Sequence, residues 1–169
     1  MTPLEFRPLQ QNDIPLIVAA FAALGWKKPA SFYQQYLVEQ ESQQRCVWVA
    51  FKEAEFLGYV TLKWHSEYAP FNQQGIPEIV DLNVLAKFRK HGIGSKLLDL
   101  AEAEAVKKST IIGIGVGLYA DYGDAQRLYI KRGYVPDGLG ITYNYQPIDP
   151  GSMMRLDDDL VLWFRKKVP

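Results

Sequence analysis

The spacing of hydrophobic and polar positions changes repeatedly along this chain, and each change marks the boundary of a predicted strand or helix. Short runs rich in β-branched and aromatic residues predict strands, and they cover residues 4–9, 46–51, 56–64, 79–85, 111–119, 134–135 and 160–164. Apolar residues three and four positions apart predict helices, which begin near residues 12, 29, 93 and 124. Strands that alternate with helices in this way predict an α/β fold.

Capping signals stand at the ends of these helices. Asn12 or Asp13 is expected to cap the first helix and Ser31 the second, because short polar side chains accept hydrogen bonds from the first amides of a helix. Gly25 and Gly133 follow the first and last helices, where a left-handed backbone favours glycine.

The connections between elements also follow from the pattern. The polar residues 52–55 predict an antiparallel hairpin, and the polar segment 65–77, which contains glycine and proline, predicts a loop. Alternating glycines within a strand are typical of a bulge or of close packing, and they occur at positions 113, 115 and 117. The run Asp157–Asp159 predicts a solvated turn and no metal site, because adjacent carboxylates point in different directions.

Composition narrows the class of protein. A chain of 169 residues predicts one domain over residues 1–169. Its 19 basic and 19 acidic residues give a net charge of zero, so no global field attracts nucleic acid or an acidic membrane. No apolar run reaches the roughly 18 residues of a membrane span and no leader pattern opens the chain, which predicts the cytoplasm. The single cysteine, Cys46, excludes an intrachain disulfide and is predicted to be a buried structural thiol.

The segment RKHGIG, residues 89–94, joins a predicted strand to a predicted helix. The first N–H groups of a helix have no intrahelical partner and the helix dipole adds positive charge there, so this junction can hold a phosphate. Gly92 and Gly94 let a ligand approach the backbone, and Arg89 and Lys90 can reach phosphate oxygens from the flank. Taken alone, the segment fits a plain glycine-rich turn equally well.

Two known phosphate-binding patterns do not match. A nucleotide P-loop requires G-x-x-x-x-G-K-[ST], but Ser95 and Lys96 follow Gly94 in the reverse order. A dinucleotide site requires G-x-G-x-x-G at the start of a helix, and the alternating glycines of this chain lie within a predicted strand.

Three motifs in a fixed order carry a family resemblance. They are L-x-V at 82–84, R-x-x-G-x-G at 89–94 and A-x-x-L-Y-x-x-x-G-[FY] at 125–134. Together they resemble the GNAT superfamily of acyl-CoA-dependent N-acetyltransferases, over roughly residues 3–164. The resemblance implies a single α/β domain with a mixed, mostly antiparallel sheet flanked by helices, and acetyl-CoA as the cofactor.

The resemblance also implies which residues bind the cofactor. The main chain of Leu82, Asn83 and Val84 would bind the pantetheine arm as if it were an added strand. We call residues 89–95 the cradle, and their amides would hold the pyrophosphate; the cradle consists of Arg89, Lys90, His91, Gly92, Ile93, Gly94 and Ser95. The family's asparagine ahead of the third motif is replaced here by Tyr122, so that contact would fall to Asp121, Tyr122 or Gly123.

Catalytic roles follow from the same resemblance and from amine chemistry. Tyr129 would protonate the leaving thiolate, and the alternative is a core aromatic residue on a helix face. An amine with a pKa of about 10 is mostly protonated at neutral pH, so the reaction needs a base. Glu78 and Asp81 are the candidates, and either could instead be an exposed carboxylate at a strand end. Strand alternation places the side chain of Asp81 on the same face of the strand as that of Asn83. His65 is a third, more remote candidate base.

The resulting hypothesis is acetyl transfer from acetyl-CoA to a primary amine by direct attack, without a metal. The acceptor stays open between a small molecule and a peptide amine, and so does assembly as a homodimer. Eight aromatic residues could line an acceptor cleft or form the core: Trp26, Phe32, Tyr33, Tyr36, Tyr68, Phe71, Tyr143 and Tyr145. The alternatives are a non-catalytic acyl-CoA-binding or sensing module and a structural domain with an empty glycine turn.

Overall fold

A computed structural model describes residues 3–169; Met1 and Thr2 lie outside the described residues. The chain divides into two compact units. Unit 1 comprises Met1–Lys63 and Val80–Glu104, and unit 2 comprises Trp64–Ile79 and Ala105–Pro169. One domain over residues 1–169 stays a prediction. Among residues 3–169, no helix is both long enough and apolar enough to cross a membrane.

Unit 1 contains the first strands and helices and the helix that follows the cradle. Its elements are β1 (Leu4–Pro8), α1 (Ile14–Ala22), α2 (Ala30–Glu41), β2 (Arg45–Lys52), β3 (Glu55–Lys63), most of β4 (Glu78–Val84) and α4 (Ile93–Ala105). The predicted hairpin is confirmed, because β2 and β3 pair in antiparallel fashion from Arg45↔Lys63 to Lys52↔Glu55.

Unit 2 contains the remaining elements and begins with a short helix inside the segment predicted to be a loop. Its elements are α3 (Ala69–Gln73), the first residues of β4, β5 (Ile111–Gly117), α5 (Gly123–Lys131), β6 (Val135–Tyr143), β7 (Gln146–Pro147) and β8 (Leu160–Lys167). The sequence did not predict α3 or β7, which have only five and two residues, too few to show a period.

The strands form a mixed, mostly antiparallel sheet flanked by helices, as the fold class predicted. In unit 1 the order is β1-β2-β3-β4, and in unit 2 it is β4-β5-β8-β6-β7. The pair β4–β5 is parallel, whereas the pairs β1–β2, β2–β3, β5–β8, β6–β8 and β6–β7 are antiparallel. The register of β6 on β8 shifts between Pro136 and Ile141, where Gly138 and Gly140 have positive φ; this irregularity hid most of β6 from the sequence pattern.

The core of unit 1 is largely aromatic. Phe21 and Tyr33 from the helices pack with Val49, Phe56 and Tyr59 from the strands, and each is 3% exposed or less. Burial of such large apolar side chains is the main force that holds the two helices against the sheet.

Asp13 is the N-cap residue of α1, as one of the two predicted positions, whereas the predicted cap of α2 is wrong. Asp13 makes no capping hydrogen bond to α1, because its carboxylate receives two hydrogen bonds from the Arg7 guanidinium, at 2.6 and 2.8 Å. A bidentate charged pair of this kind is stronger than a cap. Ser31 does not cap α2, since the helix begins one residue earlier, at Ala30. Cys46 is partly exposed and not fully buried, because it lies on the less covered face of β2.

Candidate active site and cofactor cradle

The cradle begins where β4 ends. The N–H of Leu85 still bonds to the carbonyl of Leu57 on β3, 2.9 Å away, and a single 3-10 turn over residues 86–88 then leads out of the sheet. Lys90 and Gly92 have φ angles of 63° and 79°. These left-handed residues reverse the chain into α4, and glycine adopts such a conformation at little cost.

The N-terminus of α4 completes the cradle. The N–H of Lys96 bonds to the carbonyl of Gly92, 3.0 Å away, so the amides just before it are those that a helix leaves without an intrahelical acceptor. They include the amides of Ile93 and Gly94. The helix is 13 residues long, so its dipole adds partial positive charge at this end. The structure thus brings the predicted pyrophosphate-binding residues together in one turn.

Arg89 makes a hydrogen bond to the main chain of Val84 that the sequence did not predict. Its Nε donates a hydrogen bond to the carbonyl oxygen of Val84, 3.0 Å away, so the side chain turns back and ties the cradle to the end of β4. His91 is exposed, and its Nδ1 lies 2.7 Å from the carbonyl oxygen of Arg89. The prediction that both residues flank a phosphate stays a prediction.

A cleft of about 160 Å³ opens beside the end of β4 in unit 1. It is lined by Phe21, Leu24, Trp26, Asn83, Val84, Leu85, Ala86 and Arg89. Of the eight aromatic residues considered for an acceptor cleft, Trp26 lines this one, whereas Tyr33, Tyr36, Tyr68 and Phe71 are core residues exposed by 5% or less. The sequence did not predict that Phe21 and Leu24 line this cleft, because their positions depend on where α1 ends.

Strand β3 approaches the cleft wall through a glycine. A Cβ placed on Gly58 would lie 2.5 Å from the carbonyl oxygen of Asn83, closer than real Cβ atoms come to other atoms, and 3.0 Å from the Cα of Val84. The main chain of β4 therefore lies directly against that of β3 at the residues proposed to bind the pantetheine arm. A glycine within a strand is a signal for such close approach.

Asp81 lies in a bend of β4 within unit 1. Its φ of 54° interrupts the regular strand, and its carboxylate accepts a hydrogen bond from the hydroxyl of Tyr36. Burial, followed by the charge of Asp81, raises the pKa of Tyr36 above its ordinary value, so the hydroxyl keeps its proton and stays a donor. Asn83 donates to the hydroxyl of the neighbouring Tyr59, 3.4 Å away. Both side chains thus reach one tyrosine cluster, and the prediction that they share a face is confirmed.

Glu78, the other candidate base, is buried in unit 2 with 6% of its surface exposed. The hydroxyl of Ser66 donates to its Oε2, 2.6 Å away. Glu78 is therefore not an exposed strand-end carboxylate, as one alternative supposed. His65, the more remote candidate, is exposed.

Tyr122 packs over the end of β5. A Cβ on Gly117 would lie 2.4 Å from its ring, and its hydroxyl donates to Asp158 at 2.8 Å. Burial, followed by the hydrogen bond to Asp158, raises the pKa of Tyr122 above its ordinary value. Gly123, the other predicted cofactor residue here, is the first residue of α5. The alternating glycines of β5 are thus sites of close packing, and the register of β5 on β8 is regular.

Tyr129 lies on α5 in unit 2 and is 5% exposed. Its ring centroid is 6.1 Å from that of Tyr134. The burial agrees both with a positioned catalytic hydroxyl and with a core aromatic residue, so its catalytic role stays a prediction.

Comparison with known proteins establishes the family. The model of the acetyltransferase (GNAT) family matches residues 17–134, which is most of the chain, so this protein belongs to the acetyltransferase (GNAT) family. The resemblance expected from the three motifs is confirmed. No curated protein sequence matches the chain at a significant level.

Solved structures share the fold over nearly the whole chain. The ribosomal-protein-alanine N-acetyltransferase of Brucella melitensis is 18% identical, with a TM-score of 0.70 over 97% of this chain and 99% of that one. NAA60 of Arabidopsis thaliana, in complex with acetyl-CoA, is 17% identical, with a TM-score of 0.70 over 98% and 99%. The PaiA N-acetyltransferase of Thermoplasma acidophilum, in complex with coenzyme A, is 15% identical, with a TM-score of 0.66 over 98% and 99%. At these identities the likeness shows the fold.

The cradle suits the cofactor of this family. A diphosphate needs several N–H donors and positive potential, and the first turn of α4 offers both. Arg89, Lys90 and Lys96 add exposed positive charge around it. The adjoining cleft has mostly apolar walls, as expected for the uncharged arm of an acyl thioester.

Proposed function

We propose that this protein transfers an acetyl group from acetyl-CoA to a primary amine, by direct attack of the amine. The observation that carries the proposal is the junction of β4 with α4, where a strand end, a left-handed turn at Gly92 and a helix N-terminus adjoin the cleft of about 160 Å³. Membership of the acetyltransferase family supports this assignment.

In this proposal, the cofactor is held mainly by the backbone. The cradle amides bind the diphosphate, and the main chain of Leu82, Asn83 and Val84 binds the pantetheine arm as an added strand. Tyr122 and Gly123 are the further residues proposed to contact the cofactor. Arg89 has its Nε committed to Val84, so it contributes to binding by fixing the strand end and by the charge of its remaining guanidinium nitrogens.

The bound thioester supplies an acyl carbon that is activated toward nucleophiles. Glu78 accepts the proton that the amine loses, and Asp81 is the second candidate for this role. The N–H of Val84 polarises the acyl carbonyl, and the hydroxyl of Tyr129 protonates the departing sulfur. Direct attack is favoured because Cys46, the single cysteine of the chain, lies on β2 and is not among the residues that line the cleft.

The acceptor class proposed here is a primary amine on a small molecule or a peptide. The proposed location is the cytoplasm, as the sequence predicts. A second candidate function is a module that binds acyl-CoA without turnover. Two observations favour it: the hydroxyl of Tyr122 is bonded to Asp158 where the family has an asparagine, and Tyr129 is almost fully buried.

A thermal-shift panel tests the proposal directly. Ligands that bind only the folded state raise the melting temperature, so we expect stabilisation by acetyl-CoA and by coenzyme A, and none by NAD or ATP at equal concentration. Stabilisation by the nucleotides alone would overturn the assignment.

A thiol-release screen over small amines and peptides then separates the enzyme from the binding module. We expect release of coenzyme A that depends on one class of amine. Binding of acetyl-CoA with no release for any acceptor would favour the binding module.

A further inference from the structure

Ser66 and Glu78 form a buried pair in unit 2. They are 4% and 6% exposed, respectively, and the Ser66 Oγ lies 2.6 Å from the Glu78 Oε2. Burying a carboxylate is costly unless hydrogen bonds compensate. A short bond from a hydroxyl to a carboxylate is of the stronger kind.

A second hydrogen bond holds the Ser66 hydroxyl in place. The Ser66 Oγ accepts the main-chain N–H of Tyr68, 3.0 Å away. A serine hydroxyl has one proton to donate and two lone pairs, so it accepts from Tyr68 and donates its proton to the Glu78 carboxylate. Ser66 is therefore set as a donor to the carboxylate.

The segment that holds Ser66 is anchored at Tyr68. The ring of Tyr68 stacks on Trp163 with centroids 4.2 Å apart and planes 3° apart, and its hydroxyl donates to Asp137 at 2.7 Å. Helix α3 begins directly after Tyr68. These contacts hold the turn from Ser66 to Tyr68 in one conformation.

We propose that Ser66 is a positioning residue that keeps Glu78 oriented as the base of the acetyl transfer. This inference rests on the proposed function. In the reaction, the amine nitrogen forms a bond to the acyl carbon, the carbon–sulfur bond breaks, the amine proton goes to Glu78 and the sulfur takes a proton from Tyr129. Ser66 does not touch the acceptor and acts through Glu78.

Three titratable groups lie beside Ser66 in the chain or contact Tyr68. His65 and Glu67 flank Ser66 in the chain and are exposed, and Asp137 is bonded to the Tyr68 hydroxyl. The hydroxyl of Ser66 is a neutral donor that contacts Glu78 directly.

The first test is Ser66→Ala, assayed for coenzyme A release over a range of pH. A hydrogen bond to the charged carboxylate favours that form, so its loss lets the carboxyl group protonate at higher pH. We expect the acid limb of the kcat/KM profile for the amine to move to higher pH, with a roughly tenfold loss of rate near neutral pH. The KM for acetyl-CoA should not change, and Ser66→Thr should restore most of the rate.

A double-mutant cycle with Glu78→Gln tests whether Ser66 acts through Glu78. We expect Ser66→Ala to have no further effect on rate in the Glu78→Gln background. Effects that multiply, or an acid limb that does not move in Ser66→Ala, would overturn the inference. If Ser66→Ala does not fold, Ser66→Cys, which fills the same space with a weaker donor, should show the shift instead.

The matched control is Thr142→Val. Thr142 is also a buried hydroxyl of unit 2, and its Oγ1 accepts the Trp163 indole N–H at 2.8 Å. We expect this variant to lose stability without moving the acid limb, and an equal shift in this control would overturn the inference. If the wild type binds acetyl-CoA but acetylates no amine, the proposed function and this inference both fail. If the wild type is active and Ser66→Ala has the same rate and pH profile, only this inference fails.

Discussion

The Nε of Arg89 donates a hydrogen bond to the carbonyl oxygen of Val84 across a distance of 3.0 Å. The first residue of the cradle is thereby fastened to the last residue of β4, although the chain leaves the sheet between them. The two parts proposed to bind the cofactor, the strand end and the cradle, are thus held in one arrangement.

Replacing Arg89 with alanine should weaken cofactor binding. The variant loses both the bond to Val84 and a positive charge beside the cradle, so we expect the KM for acetyl-CoA to rise roughly tenfold. Lys90→Ala is the matched control, since it removes an adjacent charge on the cradle and leaves the Arg89–Val84 bond in place. Steady-state kinetics at two salt concentrations measures both variants, and equal increases in KM would show that charge alone matters.

Tyr129→Phe tests the proposed proton donor. The ring and its burial are kept, so we expect folding and acetyl-CoA affinity to be unchanged and kcat to fall by roughly a hundredfold. Tyr134→Phe, on the neighbouring buried ring, is the control and should retain most of the activity. A Tyr129→Phe enzyme as fast as the wild type would assign Tyr129 to the core.

Gly117→Ala should disturb Tyr122. The added Cβ would lie 2.4 Å from the tyrosine ring, so we expect a loss of about 1–3 kcal/mol in the free energy of unfolding. Tyr122→Ala should relieve the clash, so the double variant should lose less than the sum of the single losses, by about 1 kcal/mol or more. Urea unfolding measures all three variants.

Gly115→Ala serves as the comparison for this cycle. Its added Cβ would meet Val161 and Trp163, and Tyr122→Ala should bring it no relief. A rescue of both glycine variants by Tyr122→Ala would contradict the steric explanation.

Glu39 on α2 makes stability dependent on pH. Burial alone would raise its pKa, but hydrogen bonds from Arg45 and Gln35 outweigh burial and hold the pKa below its ordinary value of 4.5. The Glu39 Oε2 lies 2.5 Å from the Nε of the buried Arg45. A carboxylate with a lowered pKa contributes stability above about pH 4.5, and this contribution disappears as the pH falls through the folded-state value.

We therefore expect Glu39→Gln to lower the free energy of unfolding by about 2 kcal/mol at pH 7, because it leaves Arg45 without its charged partner. The difference from the wild type should shrink as the pH approaches 3, where the wild-type Glu39 also loses its charge. Glu41→Gln, at the exposed end of the same helix, is the control. Urea unfolding at both pH values checks the prediction, and a difference that does not change with pH would refute it.

The sequence was sufficient to predict the elements that form the cradle. The strand candidate 79–85, the glycines of RKHGIG and the apolar stripe that follows them are local signals, and each corresponds to an observed element. The bond between Arg89 and Val84 was not predictable in this way, because it depends on how far the left-handed residues Lys90 and Gly92 reverse the chain.

Other features were missed because their partners lie far apart in the chain. Ser66 gave no signal, since a serine in a polar segment is typical of a loop, and its hydrogen bond is to Glu78, twelve residues later on β4. Asp13 carried the signal of a cap, but Arg7 competes for the same carboxylate. Periodicity reports the secondary structure that one segment favours. These hydrogen bonds form between segments that are distant in the chain, so periodicity does not reveal them.

Gly58 limits how this protein can be redesigned. The residues whose side chains line the cleft, such as Leu24 and Trp26, are open to randomisation in a library that seeks new substrates. Residue 58 is not, because any side chain there would push away the stretch of β4 from Asn83 to Val84. The position that most restricts an engineer is therefore one that contributes no side chain at all.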